Sequence, residues 1–269
     1  VTDVDAFANV ADLPGVEEAV ADARKAVDRL LGHRILRRRS AEVSTESALR
    51  GARASAELEG ASVTLEELRS AAEGHAAPIV QGSLRVTAEL GSLAETWRKA
   101  PRQVLARLHV LAAADLLDEA DLGRPRSGSG GPGEVSDPLG LGPAPSPAEV
   151  ASRLDALCDL LVRPSKAPAL VIAALVHGEL LTLRPFGVAD GVIARAAQRL
   201  TFVARGLDPK SLTAPEVGHL ELVAEYPDAL RAYASGTSEG MVRWIRHCAD
   251  ATVAAARDSQ AICEAYLRG

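Results

Sequence analysis

The chain has 269 residues, enough for one large domain or two small ones with a real hydrophobic core, which excludes a miniprotein. With 47% hydrophobic and 25% charged residues it is of ordinary globular composition, so bulk disorder and a fibrous repeat are excluded as well. Its formal charge of −6, from 30 basic and 36 acidic residues, argues against a protein that coats nucleic acid.

Aromatics are 3% of the chain, while alanine and leucine dominate, and that bias predicts an all-α protein. Val20, Ala23, Val27, Leu30, Leu31 and Ile35 recur at helical spacing and predict a first helix from about Val16 to Arg38, so that residues 1–40 form an N-terminal helical segment ahead of a main domain at 41–269. Arg34, Arg37, Arg38 and Arg39 at its end read as a solvated helix terminus. Thr64-x-x-Glu67 is a capping box, and Pro101 opens a helix through Leu117.

Residues 123–147 are dense in Gly, Pro and Ser and lack an apolar period; a functional lid and a disordered linker both fit, and a strand pair beside Val135 is compatible. Ser146-Pro147-Ala148-Glu149 is a second capping box, and Thr213-Ala214-Pro215-Glu216 repeats the pattern. Between them, Ala167 to Leu183 is the longest apolar run. His177, Glu179 and Thr182 interrupt it, and it is short of the 20 or so residues of a membrane span, so it reads as the buried central helix. The following helix runs from Asp190 to Gly206.

The corner between these two helices carries the argument: Leu183-Arg184-Pro185-Phe186-Gly187-Val188-Ala189-Asp190-Gly191-Val192-Ile193-Ala194-Arg195. Pro185 and Gly187 stop one helix and Asp190 is placed to cap the next. A helix-loop-helix corner with a free N-terminus is where amides and the helix dipole hold an anion.

At these residues the sequence resembles the Fic (filamentation-induced-by-cyclic-AMP) family of protein adenylyltransferases, whose signature runs His-x-Phe-x-Asp/Glu-Gly-Asn-Gly-Arg-x-x-Arg. The frame falls on Arg184 through Arg195 and matches at Phe186, Gly191 and Arg195, with Pro185 the usual neighbour of the histidine. Ser55-Ala56-Glu57-Leu58-Glu59-Gly60 resembles the Ser/Thr-x-x-x-Glu-Gly/Asn inhibitory motif of members that carry their inhibitor upstream, on a helix expected at about 43–60. Tyr226-Pro227-x-Ala229-Leu230-x-x-Tyr233 and Val242-Arg243-Trp244-Ile245 resemble the segments after the signature. The resemblance implies an all-α Fic-like domain with a short β-hairpin flap at 123–147, which in the family docks the target segment by strand addition.

The departures bear on chemistry. In the resembled enzymes the histidine deprotonates a target Ser, Thr or Tyr hydroxyl, which attacks the α-phosphate of a nucleotide. Arg184 stands there, and a guanidinium stays protonated at physiological pH. Val188 replaces the acid that holds Mg²⁺, Ala189 the first glycine, Asp190 the asparagine and Val192 the first arginine. An Asp190 carboxylate at the N-cap is expected to take up the amides that would meet phosphate, and to pair with Arg184. The inhibitory half is retained: the resemblance pairs Glu59 with Arg195. A bidentate, partly buried contact is expected, positioned by Ser55 or the Gly60 backbone.

Two readings follow. In the first, a Fic-like protein inactive in adenylylation serves as a binding or regulatory module for a protein partner and needs no cofactor. In the second, a nucleotide- or anion-handling transferase uses Arg184 and Asp190 with ATP and Mg²⁺. A homo-oligomeric scaffold, with the long Gly/Pro segment or the first helix as its interface, is a third arrangement, which an exposed apolar stripe on Val16 to Arg38 would favour. Cys158, Cys248 and Cys263 are scattered, with no Cys-x-x-Cys and no nearby His pair at zinc-ligand spacing, so no disulfide framework and no metal site are expected. His177 reads as a hydrogen-bonded core histidine, and His247-Cys248 as adjacent helical residues that point apart. With no leader or membrane span read from the sequence, a cytoplasmic location without nucleic-acid or membrane partners is expected.

Overall fold

The computed structural model describes residues 4–71, 76–127 and 135–268. Among them are twelve α-helices: α1 (Ala6–Ala11), α2 (Val16–Leu31), α3 (Leu36–Leu58), α4 (Leu65–Ala71), α5 (Pro78–Lys99), α6 (Pro101–Ala113), α7 (Pro147–Val162), α8 (Ala169–Leu183), α9 (Asp190–Ala204), α10 (Pro215–Glu221), α11 (Tyr226–Ala234) and α12 (Ser238–Arg268). There is no β-strand among the described residues, and the all-α expectation holds. No described helix is long and apolar enough to cross a membrane.

α8 and α9 form the centre. Twelve of the fifteen positions of α8 are apolar or glycine, and it is buried nearly all round, as a helix without a polar face must be. α5, α6 and α7 cover one side of this pair, while α12, about 46 Å long at 1.5 Å per residue, backs the other and packs against α2, α10 and α11. The α10–α12 crossing is tight because position 218 has no side chain: a Cβ at Gly218 would overlap the backbone carbonyl of Ala251.

The single first helix expected over 16–38 is two helices. α2 stops at Leu31, the chain turns through Gly32, His33 and Arg34, and α3 begins at Leu36. Glycine and histidine are weak helix formers, and the turn lets both helices lay apolar faces on neighbours. Ala23, Val27 and Leu30 pack with Ala249, Ala256 and Ile262 of α12, so the α2 stripe is covered rather than exposed. α3 runs through position 40, with a non-helical Arg39 (φ −128°, ψ 33°) just before it.

Start signals fare unevenly. At Thr64 the capping box is complete: Glu67 Oε2 accepts from the Thr64 amide at 2.8 Å and the Glu67 amide donates to Thr64 Oγ1 at 3.1 Å. At Ser146 only the hydroxyl half forms (3.3 Å), because Glu149 turns to Arg153 at 3.1 Å. At Thr213 neither half forms. The cap is Ala214, the Thr213 amide donates to Asp208 Oδ2 at 2.6 Å, and buried Glu216 faces Arg199 at 3.7 Å. The helix opened by Pro101 ends at Ala113, four residues before the expected Leu117.

Of the flap expected over 123–147, residues 128–134 lie outside the described residues, and the described remainder contains no strand.

Candidate functional site

The six residues between α8 and α9 pass through three left-handed positions, and two of them are not glycine: Arg184 (φ 46°), Gly187 (φ 81°) and Ala189 (φ 59°). A side chain there is costly and persists only where the surroundings fix it. Arg126 does much of the fixing. Its amide donates to Pro185 O at 2.7 Å, its Nε to Arg184 O at 2.8 Å, and its Nη2 to Leu183 O at 3.1 Å and Pro145 O at 3.0 Å. The Ser136 amide adds a bond to Gly187 O at 2.8 Å. Phe186 plugs the corner, stacked on His109 with ring centroids 4.3 Å apart. Burial pushes the His109 pKa down to about 4, and its Nδ1 accepts from the Gly123 amide at 2.9 Å.

Asp190 differs from its expected role as helix cap. The N-cap is Ala189, and Asp190 is the first residue of α9 with its carboxylate turned back into the loop. The Phe186 amide donates to Oδ1 at 3.0 Å and the Gly187 amide to Oδ2 at 2.7 Å. Burial pushes the Asp190 carboxyl up to about 7, against the pull of these two donors.

The expected Arg184–Asp190 pair does not form, since both Asp190 oxygens are taken by loop amides. Arg184 turns instead to the 137–142 segment, where its Nη2 donates to Gly142 O at 2.8 Å and its Nη1 lies 3.5 Å from Asp137 Oδ1. Asp137 is fixed in turn by the Leu141 and Gly142 amides, each at 2.8 Å. The cavity left between Glu59, Asp137, Leu181, Arg184, Asp190 and Gly191 is about 20 Å³, room for a single water and not for a nucleotide, whose sites run to roughly 300 Å³ and more.

Glu59 and Arg195 do meet. α3 ends at Leu58, Glu59 is its C-cap, and Gly60 at φ 92° turns the chain away. Arg195 Nη2 donates to Glu59 Oε1 at 2.7 Å and to Ser55 O at 3.0 Å, and its Nε donates to Ser55 Oγ at 3.1 Å. The contact is single rather than bidentate because Ser55 takes the other edge of the guanidinium, and it is deeply buried, with side chains 1% and 7% exposed. The Gly60 amide plays no part and donates to Glu57 O. Burial works against the Arg195 charge, but Glu59 and then Tyr226 outweigh it and hold the guanidinium pKa above its ordinary value.

Sequence reasoning missed a second cluster. His177 is indeed a hydrogen-bonded core residue, its Nε2 2.7 Å from Tyr226 Oη. It stands beside His219 (ring centroids 4.7 Å), His219 Nδ1 is 3.1 Å from His247 Nε2, and Trp244 and Cys248 complete the group. Their spacings of 42, 28 and 1 residues follow no motif; only the topology of α8, α10 and α12 brings them together.

No protein-family model matches the sequence, and no curated protein matches it. Among solved structures, a Fic family protein from Desulfovibrio desulfuricans G20 superposes with a TM-score of 0.70 at 20% identity, over 91% of this chain and 74% of that one. Fic-1 from C. elegans superposes with a TM-score of 0.69 at 19% identity, over 93% and 73%. A single-residue variant of the same worm fragment gives 0.64 at 18%, over 90% and 72%.

Proposed function

Starting from the Fic fold that the chain carries, we propose that it is a Fic protein silent in adenylyl transfer that acts as a binding or regulatory module for a protein partner. One observation carries this reading: the corner where the family would seat a triphosphate is filled from within, leaving about 20 Å³. Arg184 has no lone pair with which to accept a hydroxyl proton, and Val188 offers no oxygen to a divalent cation. The loop amides of Phe186 and Gly187 are spent on Asp190 and are not free to meet a phosphate. Glu59 keeps its place as the internal occupant of Arg195. The module needs no cofactor, and it works in the cytoplasm, away from nucleic acid and membranes. A homo-oligomer built on the α2 stripe loses its support, because α12 covers that stripe.

The test is labelled ATP in cell extract with the parent protein and Glu59→Gly, paired with melting curves with and without Mg-ATP. Neither protein labels a target and neither melting temperature moves; label transferred by the variant would overturn the proposal.

The alternative is an anion-handling transferase using Arg184 and Asp190, with ATP and Mg²⁺. It is favoured by the Asp190 carboxyl at about 7, a value suited to exchanging protons near neutral pH. It requires the 137–142 segment to release Arg184, and the same melting curves separate the two readings, since Mg-ATP would then stabilise the parent.

A further inference from the structure

Three of the six histidines of the chain meet in its core, on three different helices, outside the signature corner. His177 and His219 are fully buried, as is Cys248, and one ring nitrogen of each histidine lies with Cys248 Sγ in a group whose atoms are all within 4.8 Å of one another. The hydrogen bonds leave donor atoms for a ligand. His177 bonds Tyr226 through Nε2, and its Nδ1 is buried with no partner. His219 Nε2 lies 2.9 Å from Gln198 Oε1, an atom that only accepts, so the proton is on Nε2, and the Nδ1 lone pair accepts from His247 Nε2 at 3.1 Å, the one bond that an ion must displace.

We propose that His177, His219 and Cys248 bind one thiophilic transition-metal ion, Zn²⁺ or Cu⁺, at the junction of α8, α10 and α12. Two neutral imidazoles and a thiolate are the donors that such borderline and soft ions take. Coordination at about 2.0–2.3 Å needs the three atoms about 3.5–4 Å apart, so each moves inward by roughly half an ångström, a small side-chain rotation. The outer supports already stand: the Tyr226 hydroxyl holds the far nitrogen of His177 and the Gln198 amide that of His219, the arrangement that fixes ring orientation around bound metals.

A cavity also reaches the His247 edge of the cluster. A cavity of about 650 Å³ between α11, α12 and the α1–α2 turn is lined by Glu225, Glu239 and Asp250 as well as Arg243 and Arg246, and His247 lies at its wall. An ion entering there meets His247 first, whose Nε2–H now donates to His219 Nδ1 and which becomes a fourth ligand once that proton passes to its own Nδ1 or to solvent. Binding exchanges the thiol proton for the metal–sulfur bond and releases that proton to solvent.

The test uses untagged full-length protein stripped with a chelator, then titrated with Co²⁺, Zn²⁺ and Cu⁺. One equivalent binds, Co²⁺ produces a thiolate-to-metal charge-transfer band, and Zn²⁺ or Cu⁺ displaces it while raising the melting temperature. Cys248→Ser abolishes the band and weakens Zn²⁺ at least about 100-fold, comparable to the upper effect of losing an outer-shell partner. If that variant does not fold, a Cys158→Ser/Cys263→Ser double variant decides, since its band can come only from Cys248. Competing chelators of known preference tell which of the two ions the site holds more tightly. Failure of both Zn²⁺ and Cu⁺ to bind at one equivalent, or Co²⁺ binding without the thiolate band, would overturn the proposal.

Discussion

The carboxylate of Glu59 lies in the space that a methyl group on Gly191 would need: a Cβ built there overlaps Oε1 and crowds Cδ. Residue 59 caps the end of α3 and residue 191 sits in the first turn of α9, so the absence of a side chain at 191 lets the upstream helix reach Arg195 one turn further along. Gly191 and Arg195 are thereby both engaged by Glu59, while Asp190 and Arg184 close the rest of the corner.

Gly191→Ala is accordingly expected to act through Glu59. Displacing the carboxylate strands the Arg195 charge in the core, and losses of this kind cost about 3–5 kcal/mol. Glu59→Ala should cost a similar amount. The informative measurement is the cycle by urea denaturation: in the Glu59→Ala background the Gly191→Ala cost should fall to within about 1 kcal/mol, because the overlapping oxygen has gone. Additive losses would mean that Gly191 matters for another reason.

Two glycine-to-alanine changes should have opposite signs. At Gly218 the added carbon meets the backbone carbonyl of Ala251, which cannot yield without moving α12, so a loss of about 1–3 kcal/mol or more is expected. At Gly91, exposed in α5 with nothing within 4 Å of a built Cβ, the same change should gain about 0.5–1 kcal/mol from helix propensity. Paired melting curves check both.

What the sequence made legible follows from the range of the forces involved. The all-α class, the buried run read over 167–183 and the helix read over 190–206 rest on local periodicity; the structure has them as α8 at 169–183 and α9 at 190–204, two residues shorter at one end of each. The meeting of Glu59 and Arg195 could be anticipated because a motif carries it across 136 residues. Long-range competition was not legible. Asp190 was expected to cap a helix, but the nearer donors were the Phe186 and Gly187 amides, and Arg184 found Gly142 and Asp137 in a segment with no apolar period to announce where it packs. The histidine cluster was invisible for the same reason, since it depends on which helix faces cross.

Arg126 is expected to be the residue on which the corner geometry depends most. Its guanidinium bonds three carbonyls, those of Leu183, Arg184 and Pro145, around a backbone that holds two non-glycine residues at positive φ. Arg126→Ala leaves these acceptors without their donor and should cost about 2–4 kcal/mol, as several lost charge-assisted bonds imply. Arg126→Lys, a point charge without the fork, should recover only part of it. Hydrogen exchange at the Phe186 and Gly187 amides reads the local effect: their protection should fall in Arg126→Ala, and unchanged protection would show that Asp190 alone holds the loop.

The pH dependence of stability should contain two opposed contributions from this corner. Asp190 has a folded pKa of about 7 against an ordinary 3.8, so between about pH 4 and 7 the folded state binds more protons than the unfolded one. Its contribution is therefore favourable at acid pH and is lost as pH rises toward 7, by up to roughly 4 kcal/mol at about 1.4 kcal/mol per pKa unit. His109 runs the other way. With a folded pKa near 4 against an ordinary 6.5, it is kept neutral in the fold, and its contribution is lost as pH falls from about 6.5 toward 4. Asp190→Asn should thus steepen the loss of stability on acidification, and His109→Gln should shallow it. Urea midpoints between pH 4 and 8 test both, and an Asp190→Asn profile parallel to the parent's would mean that the carboxylate is already ionised throughout, held so by the Phe186 and Gly187 amides.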